Sequence, residues 1–463
     1  MKYRLVPRTP KDKYVAVAAF TQGHDQIVLT PGRRYVVEVG IGKREEMDRR
    51  KLILAVRKAV AMAKNMKVKR LAVVLAELTF PHLMLSEREL AELLVVNTEM
   101  ANFEFVKYRT RPKEGWNVLE EVLIVSRPSK DVETGIRRGR LIGSEVNNTR
   151  ILANTPGGDM TPSRLADAAI EAVEGLPVRV EVLGVDEMRE LGMGAILGVG
   201  KGSVDQPRFI IMEYMGGETH AKPIVLVGKG VTFDTGGLNL KPSEAIYEMH
   251  MDMSGGAAVI HTLALAARMK LPRNVVGLIP AVENMPSGSS YRPGDVLRSM
   301  SGKTIEILNT DAEGRVILAD ALYYAKRYKP ALVVDVATLT GAAMVALGNK
   351  ASAIFTKDEE LERKVRAWGE ESGDYVWPLP LWEEYEADIK GTFGDWANVG
   401  KGKLAGAIAG AVFLYQWAKD YPWIHIDMAP RMTSAEGEHL AKGATGTPVR
   451  LLWKILEQFG TAS

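Results

Sequence analysis

The residues best suited to chemistry fall in three short stretches. An apolar run, Ile224-Val225-Leu226-Val227, ends in Gly228-Lys229-Gly230 and continues through Phe233-Asp234-Thr235-Gly236-Gly237 to Lys241. Two lysines and an aspartate therefore leave a buried strand on a glycine-rich loop, where missing Cβ atoms let backbone and side chains crowd a ligand. Each of these residues taken alone reads as part of a solvated loop. The phosphate-loop pattern G-x-x-x-x-G-K-[ST] is not matched here or at Gly200-Lys201-Gly202.

The second stretch is Asn309-Thr310-Asp311-Ala312-Glu313-Gly314-Arg315, set before Val316 to Tyr328, whose apolar residues recur at helical spacing. In an extended segment Asp311 and Glu313 share a face, so both carboxylates can converge at the start of that helix. The alternative is an N-cap with acidic residues in the first turn. The third stretch holds Asp252 among Met249, Met251 and Met253, just before Gly255-Gly256. An unpaired charge among apolar neighbours is costly to bury, which calls for a cation partner or an exposed position. His250 beside it could serve as a ligand or base, but a lone histidine is more often structural, and it is left outside the set. Four carboxylates, Asp234, Asp252, Asp311 and Glu313, with one loop lysine make an oxygen-rich set suited to Mg, Mn or Zn.

Composition narrows the chemistry further. The 463 residues contain no cysteine, which removes thiolate ligands, cysteine nucleophiles and disulfides, and fits a reducing compartment. Sixty Lys and Arg against 57 Asp and Glu leave a net charge of +3, too small to attract nucleic acid or an anionic membrane over the whole surface.

These residues must be positioned by an α/β scaffold. In the first part, Tyr14 to Phe20, Arg34 to Val39, Arg70 to Ala76 and Val118 to Val125 read as strands, and Arg44 to Lys64 as a helix. That predicts a smaller N-terminal α/β domain over 1–130. Residues 131–153 read as a linking helix, stopped by Asn154-Thr155-Pro156-Gly157-Gly158. In 154–463, apolar runs at Phe209 to Met212, Ile224 to Val227, Val275 to Ile279, Ala331 to Val334 and Trp423 to Ile426 alternate with helical stretches. The pattern predicts a mainly parallel sheet covered by helices, with ligands beyond the carboxyl ends of its strands. Leu404 to Ala418, flanked by Lys403 and Lys419, is too short to span a bilayer and reads as a buried helix. Met1-Lys2-Tyr3-Arg4-Leu5 opens no apolar signal segment, so a cytoplasmic protein is expected.

The seven residues Asn309 to Arg315 resemble the characteristic stretch of the leucyl aminopeptidase family of cytosolic metallo-exopeptidases. Val227 to Asp234, Lys241-Pro242-Ser243, Asp252, Ala337-Thr338-Leu339-Thr340-Gly341 and Lys442-Gly443-Ala444-Thr445-Gly446 stand in the same order as the family's other motifs. The likeness runs from about Arg150 to the end, making 154–463 the catalytic domain. It implies that Lys229, Asp234, Asp252, Asp311 and Glu313 bind two divalent ions, Mn or Zn, with Asp234 and Glu313 common to both. It also implies catalytic roles for Lys241 and Arg315, the latter holding bicarbonate as a proton shuttle. The first side-chain pocket would involve Met249, Thr338, Leu339, Gly341, Ala429 and Met432, a deformable apolar wall that favours leucine-like residues. Thr235 stands where the family more usually has serine.

The resemblance further implies peptide substrates with a free N-terminus and a homohexamer, with no membrane partner. A competing reading is a DNA-binding or architectural role, which some family members have, carried here by Arg49-Arg50-Lys51 and Arg137-Arg138-Gly139-Arg140. Such basic groups are ordinarily solvated helix faces, so nucleic acid is not the expected partner.

Overall fold

A computed structural model describes residues 1–32, 34–402 and 404–460. Lys403, at the head of the apolar run, and residues 461–463 lie outside the described residues. The chain forms two compact units, Met1–Asn147 with Ser434–Lys442, and Asn148–Thr433 with Gly443–Ser463. The helix predicted over 131–153 runs Lys130–Asn154, so the division falls inside it.

The first unit is built on strands β1 (Lys2–Val6), β2 (Ala16–Thr21), β3 (Gln26–Leu29), β4 (Tyr35–Gly40), β5 (Arg70–Val74) and β6 (Glu121–Val125). Among the described residues they form one sheet in the order β1-β6-β5-β2-β4-β3, parallel except for the β3 edge. The helix expected from Arg44 begins later, at Arg49–Asn65, because Asp48 caps it by accepting from Lys51 N at 2.8 Å. A second helix, Glu87–Asn102, starts from a reciprocal capping box between Ser86 and Glu89. Gly135, Gly139 and Gly143 recur every four residues on the long helix. A Cβ at these positions would stand 2.3 Å from Arg88 O, 2.7 Å from Glu92 O and 2.6 Å from Glu99 Cβ. That stripe of small residues is what lets the two helices pack closely.

The second unit carries β7 (Val178–Leu183), β8 (Arg208–Met215), β9 (Ile224–Gly228), β10 (Gly230–Asp234), β11 (Asn274–Asn284), β12 (Val296–Arg298), β13 (Thr304–Glu306), β14 (Leu332–Ala337), β15 (Ser352–Phe355), β16 (Val376–Pro378), β17 (Trp396–Ala397) and β18 (Trp423–Asp427). The main sheet runs β16-β15-β18-β14-β9-β11-β8-β7, with β10 paired to the far part of β11. Its centre, β18-β14-β9-β11, is parallel, as the apolar runs predicted, and both flanks turn antiparallel. Every residue of those four central strands is buried. Helices on both faces explain this. Gly277 of β11 faces Val259 and Leu263 of the helix Ser254–Arg268, while its neighbours Val276 and Leu278 share a core with Val316, Ile317 and Leu322 of the helix Glu313–Ala325. The apolar run before Lys419 forms the helix Gly406–Ala418, almost wholly buried. Among the described residues no helix is long and apolar enough to cross a membrane.

Candidate metal centre

The carboxyl ends of the central strands gather the ionisable residues. Lys229 follows directly on β9, and Asp234 is the last residue of β10. Asp252 precedes the helix Ser254–Arg268, and Glu313 is the first residue of Glu313–Ala325. Asp234, Asp252 and Glu313 are all buried, and each offers an oxygen within 4.8 Å of the others. Lys229 Nζ lies 2.7 Å from Asp252 Oδ2 and 2.8 Å from Glu313 Oε1, and donates to Thr338 O at 2.9 Å. Lys241 Nζ lies 2.8 Å from Asp234 Oδ2 and also touches Asp311 Oδ1. Each lysine is thus bracketed by two carboxylates. Asp311 stands outside the tight triplet, its side chain 32% exposed, and joins it through Lys241.

Neutral hydrogen bonds fix the carboxylates. Asp234 Oδ1 accepts from Gly236 N and from Asn284 Nδ2, both at 2.8 Å, and Asn284 Nδ2 also donates to Thr310 O at 2.9 Å. Asp252 Oδ1 accepts from Thr338 Oγ1 at 2.7 Å. Thr310 Oγ1 donates to Gly236 O at 2.6 Å and accepts from Asn239 N at 2.9 Å, tying the lysine loop to the Asp311 turn. Gly236 has φ +87°, and a Cβ there would meet Asn239 O at 2.4 Å. The backbone of that turn therefore requires glycine.

Charge is crowded here beyond what the protein alone balances. Burial, with Glu313 and Asp252 nearby, pushes Asp234 up to about 8. Burial likewise moves Asp252 up to about 6, against the pull of Lys229. Asp311 is raised by burial although Lys241 opposes it. For Glu313 the two lysines outweigh burial and hold it below the usual carboxylate range. Burial favours the neutral form of both lysines, but the surrounding carboxylates prevail and strengthen the ammonium ions. Asp252 Oδ2 and Asp311 Oδ1 are buried without a directed hydrogen bond, close as they are to lysine nitrogens. Four carboxylates held by only two lysines, in a chain without thiolates, are a donor set that fits hard or borderline divalent cations.

The remaining residues singled out in the sequence lie nearby or apart as follows. Arg315 is buried on the same helix as Glu313. It donates through Nη1 to Asn398 O at 3.0 Å, while its Nε meets no hydrogen-bond partner among the described residues. Burial lowers its pKa to about 10. Thr338, Leu339 and Gly341 leave β14, and Ala429 and Met432 leave β18, its parallel neighbour. Met249 lies in the short turn Met249–Met251 that leads to Asp252. His250, in the same turn, is absent from the carboxylate triplet, and burial lowers its pKa. Asn284 and Asn398 escaped the sequence reading. The only signal was a polar residue at the end of the long buried run of β11 and another amid glycines and tryptophans.

Two family models match the chain. One, described as cytosol aminopeptidase family, catalytic domain, matches residues 147–453, and another, the N-terminal domain of that family, matches residues 27–112. The chain belongs to the cytosol aminopeptidase family. That family is one of metallo-aminopeptidases, so the resemblance read from Asn309 to Arg315 is borne out, as is the two-domain α/β fold. Among relatives, a probable cytosol aminopeptidase of Roseiflexus castenholzii is 43% identical over 93% of this chain and 88% of its own length. One from Aromatoleum aromaticum is 51% identical over 72% of this chain, and there the match spans 66% of the relative. Of solved structures, the bottromycin maturation enzyme BotP is 32% identical with a TM-score of 0.86, covering 96% of this chain and 99% of BotP. BotP in complex with Mn gives 32% and 0.83, with coverages of 96% and 98%.

Proposed function

We propose that this member of the cytosol aminopeptidase family releases N-terminal residues, leucine-like ones preferentially, from unblocked peptides with two divalent cations. The observation that carries this is the buried triplet Asp234, Asp252 and Glu313, bracketed by Lys229 and Lys241. Lys229, Asp234, Asp252, Asp311 and Glu313 would hold the cations, Mn or Zn, with Asp234 and Glu313 common to both. Bound there, they supply a water ionised near neutral pH and a Lewis acid for the first peptide carbonyl.

The chain's own groups divide the remaining work. Lys229 would ligate only as a neutral amine; its ammonium, now on Asp252 and Glu313, stands in for cation charge and would release its proton to solvent when a cation binds. Lys241 keeps its proton against Asp234 and Asp311 and so presents a fixed positive charge to the developing oxyanion. The Nε of Arg315, without a hydrogen-bond partner among the described residues, suits an anion such as bicarbonate, placed at the start of the helix Glu313–Ala325, where free backbone N–H groups favour negative charge. Met249, Thr338, Leu339, Gly341, Ala429 and Met432 form the wall for the first side chain. Family likeness extends the proposal to a homohexamer, which the mass of the protein in solution would check. No observation favours the DNA-binding alternative: Arg138 is taken up by Glu92 at 2.5 Å, and Lys51 by Glu46 O at 2.6 Å.

The test compares a leucyl peptide with its N-acetylated form on protein stripped of metal and reloaded singly with Mn, Zn, Mg or Co. Stepwise release from the free peptide and none from the blocked one is expected. Equal cleavage of both, or internal cleavage first, would overturn the proposal.

A further inference from the structure

Asp427 ends β18 directly opposite Ala337, the last residue of β14, and is wholly buried. Beyond this point both chains leave the sheet, one into Thr338–Gly341 and the other into Met428–Met432. The single carboxylate of Asp427 holds the two departures together. Its Oδ1 accepts from Leu339 N at 3.1 Å, Thr340 N at 3.4 Å and Ala429 N at 3.2 Å, and its Oδ2 accepts from Thr340 Oγ1 at 2.6 Å. Thr340 Oγ1 in turn accepts from Ala343 N at 3.1 Å and so caps the helix Gly341–Leu347.

This arrangement is more than local bracing. One residue before Leu339, Thr338 donates to Asp252 and receives the Lys229 ammonium on its carbonyl. The segment 338–341 therefore hangs between the carboxylate triplet and Asp427, and Ala429 is drawn to the same anchor. Hydrogen bonds to a buried carboxylate are about twice as strong as neutral ones, and an amide in its place would turn an N–H toward the Thr340 hydroxyl that now donates to Oδ2.

We propose that Asp427 is a positioning residue that sets selectivity for the substrate's first side chain, by fixing Leu339 and Ala429 at one distance across the pocket. The inference rests on the aminopeptidase reading above. Side-chain discrimination in an apolar pocket is a matter of close fit, so a wall freed to move loses preference more than it loses chemistry.

The experiment uses Mn-loaded protein and compares kcat and KM for leucyl and alanyl peptides in wild type, Asp427→Asn, Thr340→Val and Thr340→Ser, with metal content measured on each. Expected in Asp427→Asn is full metal content, a leucyl KM raised about tenfold, kcat within about threefold, and a leucyl-to-alanyl kcat/KM ratio that falls about tenfold. Thr340→Val should lower the ratio in the same direction, and Thr340→Ser, which keeps the hydroxyl, should retain it. If Asp427→Asn does not fold, the threonine pair decides alone. An unchanged ratio in folded, metal-loaded Asp427→Asn, or equal ratios in the two threonine variants, overturns the role of Asp427 while leaving the aminopeptidase reading intact. A wild-type protein that releases no N-terminal residue overturns both.

Discussion

A Cβ placed on Gly314 would stand 2.6 Å from Lys229 Cε and 2.8 Å from its Nζ, distances that require one of them to move. The glycine in Asp311-Ala312-Glu313-Gly314-Arg315 thus makes room for the lysine that reaches Asp252 and Glu313 from β9. Gly314→Ala should displace Lys229 and cost about 10²-fold in kcat, the usual penalty of misplacing a reacting constellation by about an ångström. Turnover and metal titration on the folded variant check this, and wild-type turnover would show that the lysine accommodates the methyl group.

Alanine at Asp234, Asp252 or Glu313 should abolish tight binding of at least one cation and reduce activity by orders of magnitude. Asp311→Ala should cost less binding, because Asp311 is partly exposed and stands outside the triplet. Elemental analysis with activity measured on the same preparation decides. Full occupancy and turnover in Asp252→Ala would remove that residue from the site.

Lys241 and Arg315 should affect kcat more than KM, since the charges they face grow as the tetrahedral intermediate forms. Lys241→Ala is expected to lose about 10²–10³-fold in kcat, the common cost of one oxyanion donor. Arg315→Ala should lose less, because dissolved bicarbonate or water can substitute. A lower melting temperature with kcat intact would instead make Arg315 a brace for its helix.

A pH effect is expected away from the metal residues. His425 Nδ1 and Asp335 Oδ1 are 2.5 Å apart and both wholly buried. Burial lowers the histidine's pKa, but Asp335 outweighs it and the net shift is upward. A raised folded-state pKa means that the pair's contribution to stability is fully present below about 6.5 and fades as pH rises through the folded-state value. Urea unfolding from pH 6 to 9 should show this decline in wild type and not in His425→Gln. The same slope in both would assign it elsewhere.

Much of the site was legible because its residues announce themselves by contrast. Lys229 and Asp234 are charges among glycines after a β-rich run, though Asp234 ends strand β10 and not a loop, and Asp252 is a charge among methionines. The central parallel strands were equally plain, since burial on both faces leaves unbroken apolar runs. Less legible was anything that depends on contact across the chain. Asp311 and Glu313 do not pair directly: Lys241 joins Asp311 to Asp234, while Glu313 pairs with Lys229. Asn284, Asn398 and Asp427 look like ordinary polar residues, yet they meet partners 26 to 90 positions away. The edge strands β7 and β16, β15 beside β16, and the small sheet of β12, β13 and β17 were also missed. They are short or alternating, and pairing defines them more than pattern does.

Thr338 touches Asp252 with its hydroxyl, and its neighbours hang from Asp427, so in the proposed function recognition of the substrate and retention of the cation would draw on one strip of backbone. Two ligands that share a support are thermodynamically linked, and linkage is reciprocal. Whatever factor the cation adds to the protein's affinity for a leucyl side chain, the leucyl side chain must add to its affinity for the cation. Where that factor exceeds one, the protein sheds metal most readily without peptide, and peptide supply becomes a determinant of how much of it is loaded.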